Sequence, residues 1–197
     1  QRFAEEHRIP HWYSDYREML ARPEIDLVVL GLPNDLHCEA TLAAAAAREH
    51  VVVEKPMALN LAECDRMIAA CRQAGVKLMY AEELCFAPKY VRLKQLLDSG
   101  ALGVPTLLKQ SEKHDGPHAA HFWDVERSGG GVTMDMGCHA IEFFRWMLGR
   151  PAICEPVWKN VIAGSWLIAS VCIERMKHSR SAIFAVCGSS SLRFAPL

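Results

Sequence analysis

An excess of one charge is missing from these 197 residues: 22 Lys and Arg stand against 23 Asp and Glu, a formal net charge of −1. Basic residues such as Arg2, Arg8 and Arg17 fall singly and form no stripe. The electrostatic footprint of a nucleic-acid binder is therefore lacking, and nucleic acid is not an expected partner. No apolar run approaches the roughly 20 residues that cross a bilayer, so no membrane role is expected. Ile25 to Gly31 is strand-sized, and the alanine-rich Thr41 to Ala47 belongs to a helix. No stretch reads as basic, then apolar, then small, the pattern of a secretory leader. None of the 8 cysteines (Cys38, Cys64, Cys71, Cys85, Cys138, Cys154, Cys172, Cys187) forms a C-x-x-C pair, and their spacings match no zinc pattern. A reducing cytoplasm is the simplest expected location. What remains is ordinary globular composition, 51% hydrophobic and 23% charged.

Along the chain, Arg2 to His7 reads as a helix end, and Tyr13 to Leu20 as a helix with Ser14 or Asp15 as N-cap. Because the chain already reads as helical at Gln1, the true N-terminus is expected further upstream. Glu24 to Pro33 is a continuous β-branched and leucine run with polar ends, which fits a parallel strand buried on both faces. Cys38 to His50 is alanine-rich and predicts a helix. Val51 to Val53 predicts a second short strand. Leu61 to Ala74 predicts a helix with Leu61, Cys64, Met67, Ile68 and Cys71 on one face, stopped by Gly75. Val76 to Tyr80 predicts a third strand, completing a series that implies one parallel sheet with right-handed crossovers.

The pattern changes after Tyr80, and a boundary is expected between Tyr80 and Phe86, with residues 1–81 in one domain and 82–197 in the next. Tyr90 to Asp98 predicts an amphipathic helix, Thr106 to Ser111 a strand, and Lys113 to Trp123 a polar loop rich in histidine. Three glycines, Gly129 to Gly131, lead into a helix from about Met134 to Leu148. Residues 159–197 are atypical: apolar runs at Val161 to Ile173 and Ala182 to Val186 lack alternation. Either a divergent region of sheet or a shifted reading frame would produce such a tail.

Three local signals carry chemistry. Glu54-Lys55-Pro56 closes a buried strand at the end where open α/β sheets place their ligands. A lysine there can donate to a substrate hydroxyl, although Lys55 alone reads equally as a surface Lys-Pro turn. Leu32-Pro33-Asn34-Asp35-Leu36-His37, after the preceding strand, brings amide and imidazole groups to a helix start suited to phosphate or ribose. Asn34 by itself can simply cap that helix. In Ser128 to His139, Asp135 and His139 are spaced i and i+4, so they share a helix face behind a flexible triple glycine. Histidine is the usual acid/base group near neutral pH. The plainer reading of the pair is a dipole-favoured aspartate and a structural histidine.

In this order, the three signals resemble the family of glucose–fructose oxidoreductase, inositol dehydrogenase and the rhizopine-catabolism protein (Gfo/Idh/MocA). The resemblance runs from Gln1 to about Val157 and includes Leu97-Asp98-Ser99-Gly100-Ala101-Leu102-Gly103. It implies an α/β protein: a partial Rossmann-type parallel sheet followed by an incomplete α+β substrate domain with an open, mainly antiparallel sheet. It further implies an NAD(P)-dependent dehydrogenase acting on a sugar, polyol or related hydroxyl compound, and a homo-oligomer, dimer or tetramer, in the intact parent. By the resemblance, Lys55 contacts the reacting hydroxyl or carbonyl, His139 exchanges the proton, and Asp135 contacts or positions substrate. Leu32, Pro33, Asn34, His37, Glu54 and Glu82 line the dinucleotide together with Lys55, Glu54 and Glu82 lying toward the nicotinamide. His114 and Trp123 are expected to touch substrate.

Two departures stand out. The Gly-x-Gly-x-x-Gly turn that seats a pyrophosphate is absent from the sequence, and the resemblance places it ahead of Gln1 with the residues that choose NAD or NADP. Little or no turnover is therefore expected of these 197 residues by themselves, so an inactive fragment is one alternative. The second departure is Tyr80-Ala81-Glu82-Glu83-Leu84-Cys85-Phe86, where many relatives carry a Gly-His/Asn-x-Arg-Phe-like segment. A metal-binding protein built on the loop Lys113 to His121, with three histidines and Asp115, is the other alternative. Its spacing matches no closed site and no H-E-x-x-H accompanies it, so no metal is expected.

Overall fold

In the computed structural model the described residues are 1–105, 108, 110, 119–149 and the three strands 154–158, 169–175 and 181–187. The chain divides into two units, Gln1–Ala81 and Glu82–Leu197. Among the described residues, no helix is long and apolar enough to cross a membrane.

The first unit contains, in order, α1 (Arg2–Glu6), α2 (Tyr16–Leu20), β1 (Leu27–Leu30), α3 (His37–Ala46), β2 (His50–Val53), α4 (Leu61–Ala74) and β3 (Leu78–Tyr80). A 3-10 turn, Asn34–Leu36, joins β1 to α3. The strands form one parallel sheet in the order β1-β2-β3, with Leu27 opposite His50 and Val51 opposite Leu78. Each crossover is a helix whose ends are marked chemically. Asp15 caps α2 by accepting from the Arg17 N–H. At α4, the Asn60 side chain accepts from the Glu63 N–H at 3.0 Å while the Glu63 carboxylate accepts from the Leu59 N–H at 3.1 Å. Gly75 ends α4 at φ 72°, a left-handed position that costs glycine little.

The core lies on one side of the sheet. Val28, Leu30, Val51 and Val53 are buried against Ala40, Ala44, Met67 and Cys71 of α3 and α4. Burial alternates along β1, and Val29 is 67% exposed. This corrects the expectation of a strand buried on both faces: among the described residues, helices cover only one face, so every second side chain meets water. The apolar stripe of α4 is likewise narrower than its sequence suggests. Met67 and Cys71 are buried and Cys64 partly so, whereas Leu61 is 83% exposed and Ile68 is also exposed. The sheet meets only part of that face.

The second unit opens with a 3-10 turn, Glu83–Phe86, and α5 (Pro88–Asp98), which starts on a proline, a residue already shaped for a first helical position. After a further 3-10 turn, Ala120–Trp123, come α6 (Val125–Ser128), α7 (Gly131–Asp135) and α8 (Gly137–Leu148). Phe143, Phe144 and Met147 of α8 form a second core with Tyr90, Leu93 and Leu97 of α5, and the Tyr90 and Phe143 rings lie 5.0 Å apart. The helix expected from Met134 to Leu148 is two helices, interrupted at Met136. Strands β4 (Cys154–Trp158), β5 (Ala169–Arg175) and β6 (Ser181–Cys187) form an antiparallel sheet in that order. Pro156 sits in β4, an edge strand, where its missing N–H is tolerated. The expected strand at Thr106 to Ser111 and the rest of 159–197 lie largely outside the described residues.

Candidate active site

Parallel strands all point their carboxyl ends the same way, so the loops after β1 and β2 share one edge of the first unit. Glu54 donates its backbone N–H to Leu30 O at 3.1 Å, and Ala81 donates to Val53 O at 2.9 Å, carrying the ladder to the ends of the strands. There the chain turns: Glu54 is exposed, Lys55 is half-buried, and the Lys55 N–H donates to the Glu54 carboxylate at 3.1 Å. The Lys55–Pro56 peptide is cis. Leu32 and Pro33 are half-buried, and Asn34 is buried at the start of the 3-10 turn.

His37 joins the two loops. Its side chain is fully enclosed, with Nδ1 2.9 Å from Pro56 O and Nε2 2.9 Å from Leu32 O. Read from the sequence as lining the dinucleotide, the imidazole is instead engaged with backbone on both sides. It fixes the Leu32 carbonyl, ahead of Asn34, relative to the Pro56 carbonyl, just behind Lys55.

The second unit holds a different cluster. Glu82 leads into the Glu83–Phe86 turn, and its carboxylate also faces the Leu84 N–H at 3.5 Å. His139 occupies the first turn of α8, and its Nδ1 lies 2.6 Å from Glu82 Oε1. Both side chains are 4% exposed. Glu83, exposed to solvent, places a carboxylate oxygen 3.7 Å from His139 Nε2. Asp135, at the end of α7, is buried, and the Cys138 thiol donates to Asp135 O at 3.3 Å. The glycines ahead of α7 take φ values of 81°, 152° and 60°, conformations that side chains rarely adopt. Trp123 is 58% exposed, and His114 lies outside the described residues.

Glu82, Cys138 and His139 bring one donor atom each within 4.8 Å of one another. Two ligands of a tetrahedral zinc stand about 3.4 Å apart when each bond is about 2.1 Å. The 2.6 Å separation of Glu82 and His139 is that of a hydrogen bond, not of two ligands on one ion. Burial pushes the Cys85 thiol up, and the carboxylates of Glu142 and Glu82 push it the same way. Burial also raises Cys38, Cys64 and Cys71. Thiols shifted this way are poor nucleophiles. The sequence singled out Glu82 and His139 separately; nothing in it signalled that they meet.

A parallel sheet with chemistry at its strand ends, followed by a mixed unit with a buried imidazole–carboxylate pair, defines a two-unit α/β protein of the Rossmann type. Residues 1–82 match the oxidoreductase family with the NAD-binding Rossmann fold, and residues 90–161 match the GFO/IDH/MocA C-terminal domain. The chain belongs to the Gfo/Idh/MocA family. It is 33% identical over 147 residues to the uncharacterized oxidoreductase YrbE of Bacillus subtilis, covering 75% of this chain and 42% of that protein. With the myo-inositol 2-dehydrogenase of Thermotoga maritima it shares 32% over 138 residues, 70% of this chain and 40% of that protein. Among solved structures, the aldose–aldose oxidoreductase of Caulobacter crescentus, complexed with glycerol, superposes with a TM-score of 0.81 at 27% identity. That match covers 94% of this chain and 58% of the other. GenD2 from gentamicin A biosynthesis, in complex with NAD, gives 0.83 at 26% identity, covering 94% and 54%. The chain thus spans between about two fifths and three fifths of the length of these relatives.

Proposed function

We propose that the protein to which this chain belongs is an NAD(P)-dependent dehydrogenase that oxidises or reduces a CH–OH group of a sugar or polyol. The observation that carries the reading is the Glu54-Lys55 turn at the carboxyl end of β2, tied by the enclosed His37 to the loop after β1. A loop pair held this firmly keeps an ammonium group in one place, which is what transfer between two bound molecules requires. The relatives support the substrate class: one is a myo-inositol 2-dehydrogenase and another an aldose–aldose oxidoreductase.

The residues present suit part of a dinucleotide. Half-buried Leu32 and Pro33 offer apolar surface, and exposed Glu54 offers a carboxylate that can accept from ribose hydroxyls. Leu32, Pro33, Asn34 and Glu54 would hold that portion, with Lys55 beside it facing the substrate oxygen. When bound, nicotinamide supplies a hydride acceptor or donor at its ring. The chain's own groups manage the proton and the orientation. The Lys55 ammonium donates to the substrate oxygen and favours the alkoxide that precedes hydride loss. His139 takes or returns the hydroxyl proton, and Asp135 accepts from a neighbouring hydroxyl. Trp123, with its exposed indole, offers a face on which a sugar ring stacks. A reducing compartment such as the cytoplasm suits the free thiols of Cys38, Cys64, Cys71 and Cys85.

Calorimetric titration of NAD, NADH, NADP and NADPH into the purified chain tests this reading. Saturable binding of one nucleotide tighter than about 100 μM, equivalent to about 5.5 kcal/mol, is the expected result. Absence of binding by all four would overturn a dinucleotide site on these strand ends.

A further inference from the structure

We propose that Glu82 is the positioning residue of His139: its carboxylate holds the imidazole as the Nδ1–H tautomer, so that Nε2 carries the lone pair that exchanges the substrate proton. This rests on the role proposed for His139. The geometry is specific. Nδ1 stands 2.6 Å from Oε1, at the short end for a charge-assisted hydrogen bond, and both side chains are 4% exposed. Glu82 comes from the entry to a 3-10 turn and His139 from the first turn of a helix 57 positions later, so the contact is tertiary rather than a by-product of local winding.

A second observation concerns the other carboxylate oxygen. Glu82 Oε2 is buried and has no hydrogen-bond partner among the described residues. No lysine or arginine pairs with Glu82 among those residues either, so His139 is its one potential cation. A buried carboxylate in that position favours the imidazolium over the neutral ring. The groups that accompany the pair are Glu83 at 3.7 Å from Nε2, Cys85 in the same turn, Asp135 at the end of α7, and Cys138 and Glu142 on α8. All of these described groups are acids or thiols.

In the direction of oxidation, the substrate O–H bond breaks and its proton passes to Nε2. The C–H electron pair leaves as hydride to the nicotinamide, and the carbonyl double bond forms. Nδ1–H stays on the ring, donated to Oε1 throughout, and Glu82 gains no proton. The carboxylate thus lowers the energy of the imidazolium formed when Nε2 accepts. Glu82 touches neither substrate nor cofactor in this scheme.

Nitrogen-15 NMR of histidine-labelled chain, without substrate or cofactor, reads the tautomer and protonation of each ring directly. Wild type is expected to show His139 chiefly as Nδ1–H. Glu82→Ala is expected to shift it to the Nε2–H form common in water, and Glu82→Gln to weaken proton affinity at least about tenfold, roughly one pH unit. A wild-type spectrum dominated by Nε2–H would overturn the proposal without any variant, which keeps it testable if both variants unfold. So would unchanged tautomer and midpoint in folded Glu82→Ala and Glu82→Gln. In a turnover assay of the nicotinamide-loaded protein, full activity of His139→Asn would instead overturn the role given to His139, with the spectra unaffected.

Discussion

Replacing His37 with leucine keeps a side chain of similar bulk in a fully enclosed site while deleting both of its polar contacts. One of the carbonyls of Leu32 and Pro56, each 2.9 Å from a ring nitrogen, then loses its partner, because a ring with a single N–H donates to only one of them. A buried acceptor without a partner costs about 1–3 kcal/mol. The contact to Pro56 is buried and that to Leu32 only partly so, which puts the Leu32 carbonyl at the low end because water can reach it. Improved apolar burial of leucine offsets part of that cost, leaving a net loss of about 1–2 kcal/mol. With a urea dependence of about 2 kcal/mol per molar, the unfolding midpoint should fall by about 0.5–1 M. Amide exchange should rise in residues 32–36 and 54–58 more than in α4, because the substitution unties two loops and leaves the helix caps alone. A midpoint within about 0.3 M of wild type, with unchanged exchange in both loops, would refute the idea that this ring holds them together.

Lys55→Met removes the ammonium but keeps a flexible apolar stem, so in the nicotinamide-loaded protein kcat should drop about 10²- to 10⁴-fold. Dinucleotide affinity, measured calorimetrically, should change less than about threefold; equal turnover would remove Lys55 from the chemistry. Glu49 presents a different case: it is buried, neither carboxylate oxygen has a partner among the described residues, and burial raises its pKa above the usual 4.5. The folded state therefore holds that proton more tightly than the unfolded one, so its contribution to stability is present below pH 4.5 and is lost as pH climbs through the raised value. Glu49→Gln should flatten that part of the pH profile and stabilise the fold at pH 7, as read by urea midpoints at pH 4, 5, 6 and 7; a slope unchanged from wild type would contradict it.

The first unit was legible because its signals are local. Val51 to Val53 and the run ending at Leu30 are strands by composition, and Asn60 and Gly75 mark the two ends of α4 by capping chemistry. A continuous apolar run does not reveal whether one face or two is covered, which is why exposed Val29 ran against expectation. The interruption at Met136 was invisible for a similar reason: apolar periodicity persists through a single interrupting residue between two helices. Lys55, Asp135 and His139 were singled out from residue type and spacing. The pairing of Glu82 with His139 was not, because it depends on how α8 packs back on the turn before α5, and the two residues stand 57 positions apart with no sign of that return between them. The same holds for His37, whose partners are backbone carbonyls, a group that every residue offers.

The uncovered side of the parallel sheet makes protein concentration a variable in its own right. Leu27, Val29 and Met79 stand on water as neighbours in three dimensions, beside a β1 edge that no described strand pairs. Each square ångström of such surface removed from water returns about 25 cal/mol, with no particular partner required. Two sheets meeting face to face would gain that on both sides, and a free edge offers backbone hydrogen bonds in addition. Association through this face grows with the square of concentration at first, while nucleotide binding at the strand ends does not. Dilute and concentrated solutions of the chain should therefore report different apparent stabilities and the same intrinsic affinity.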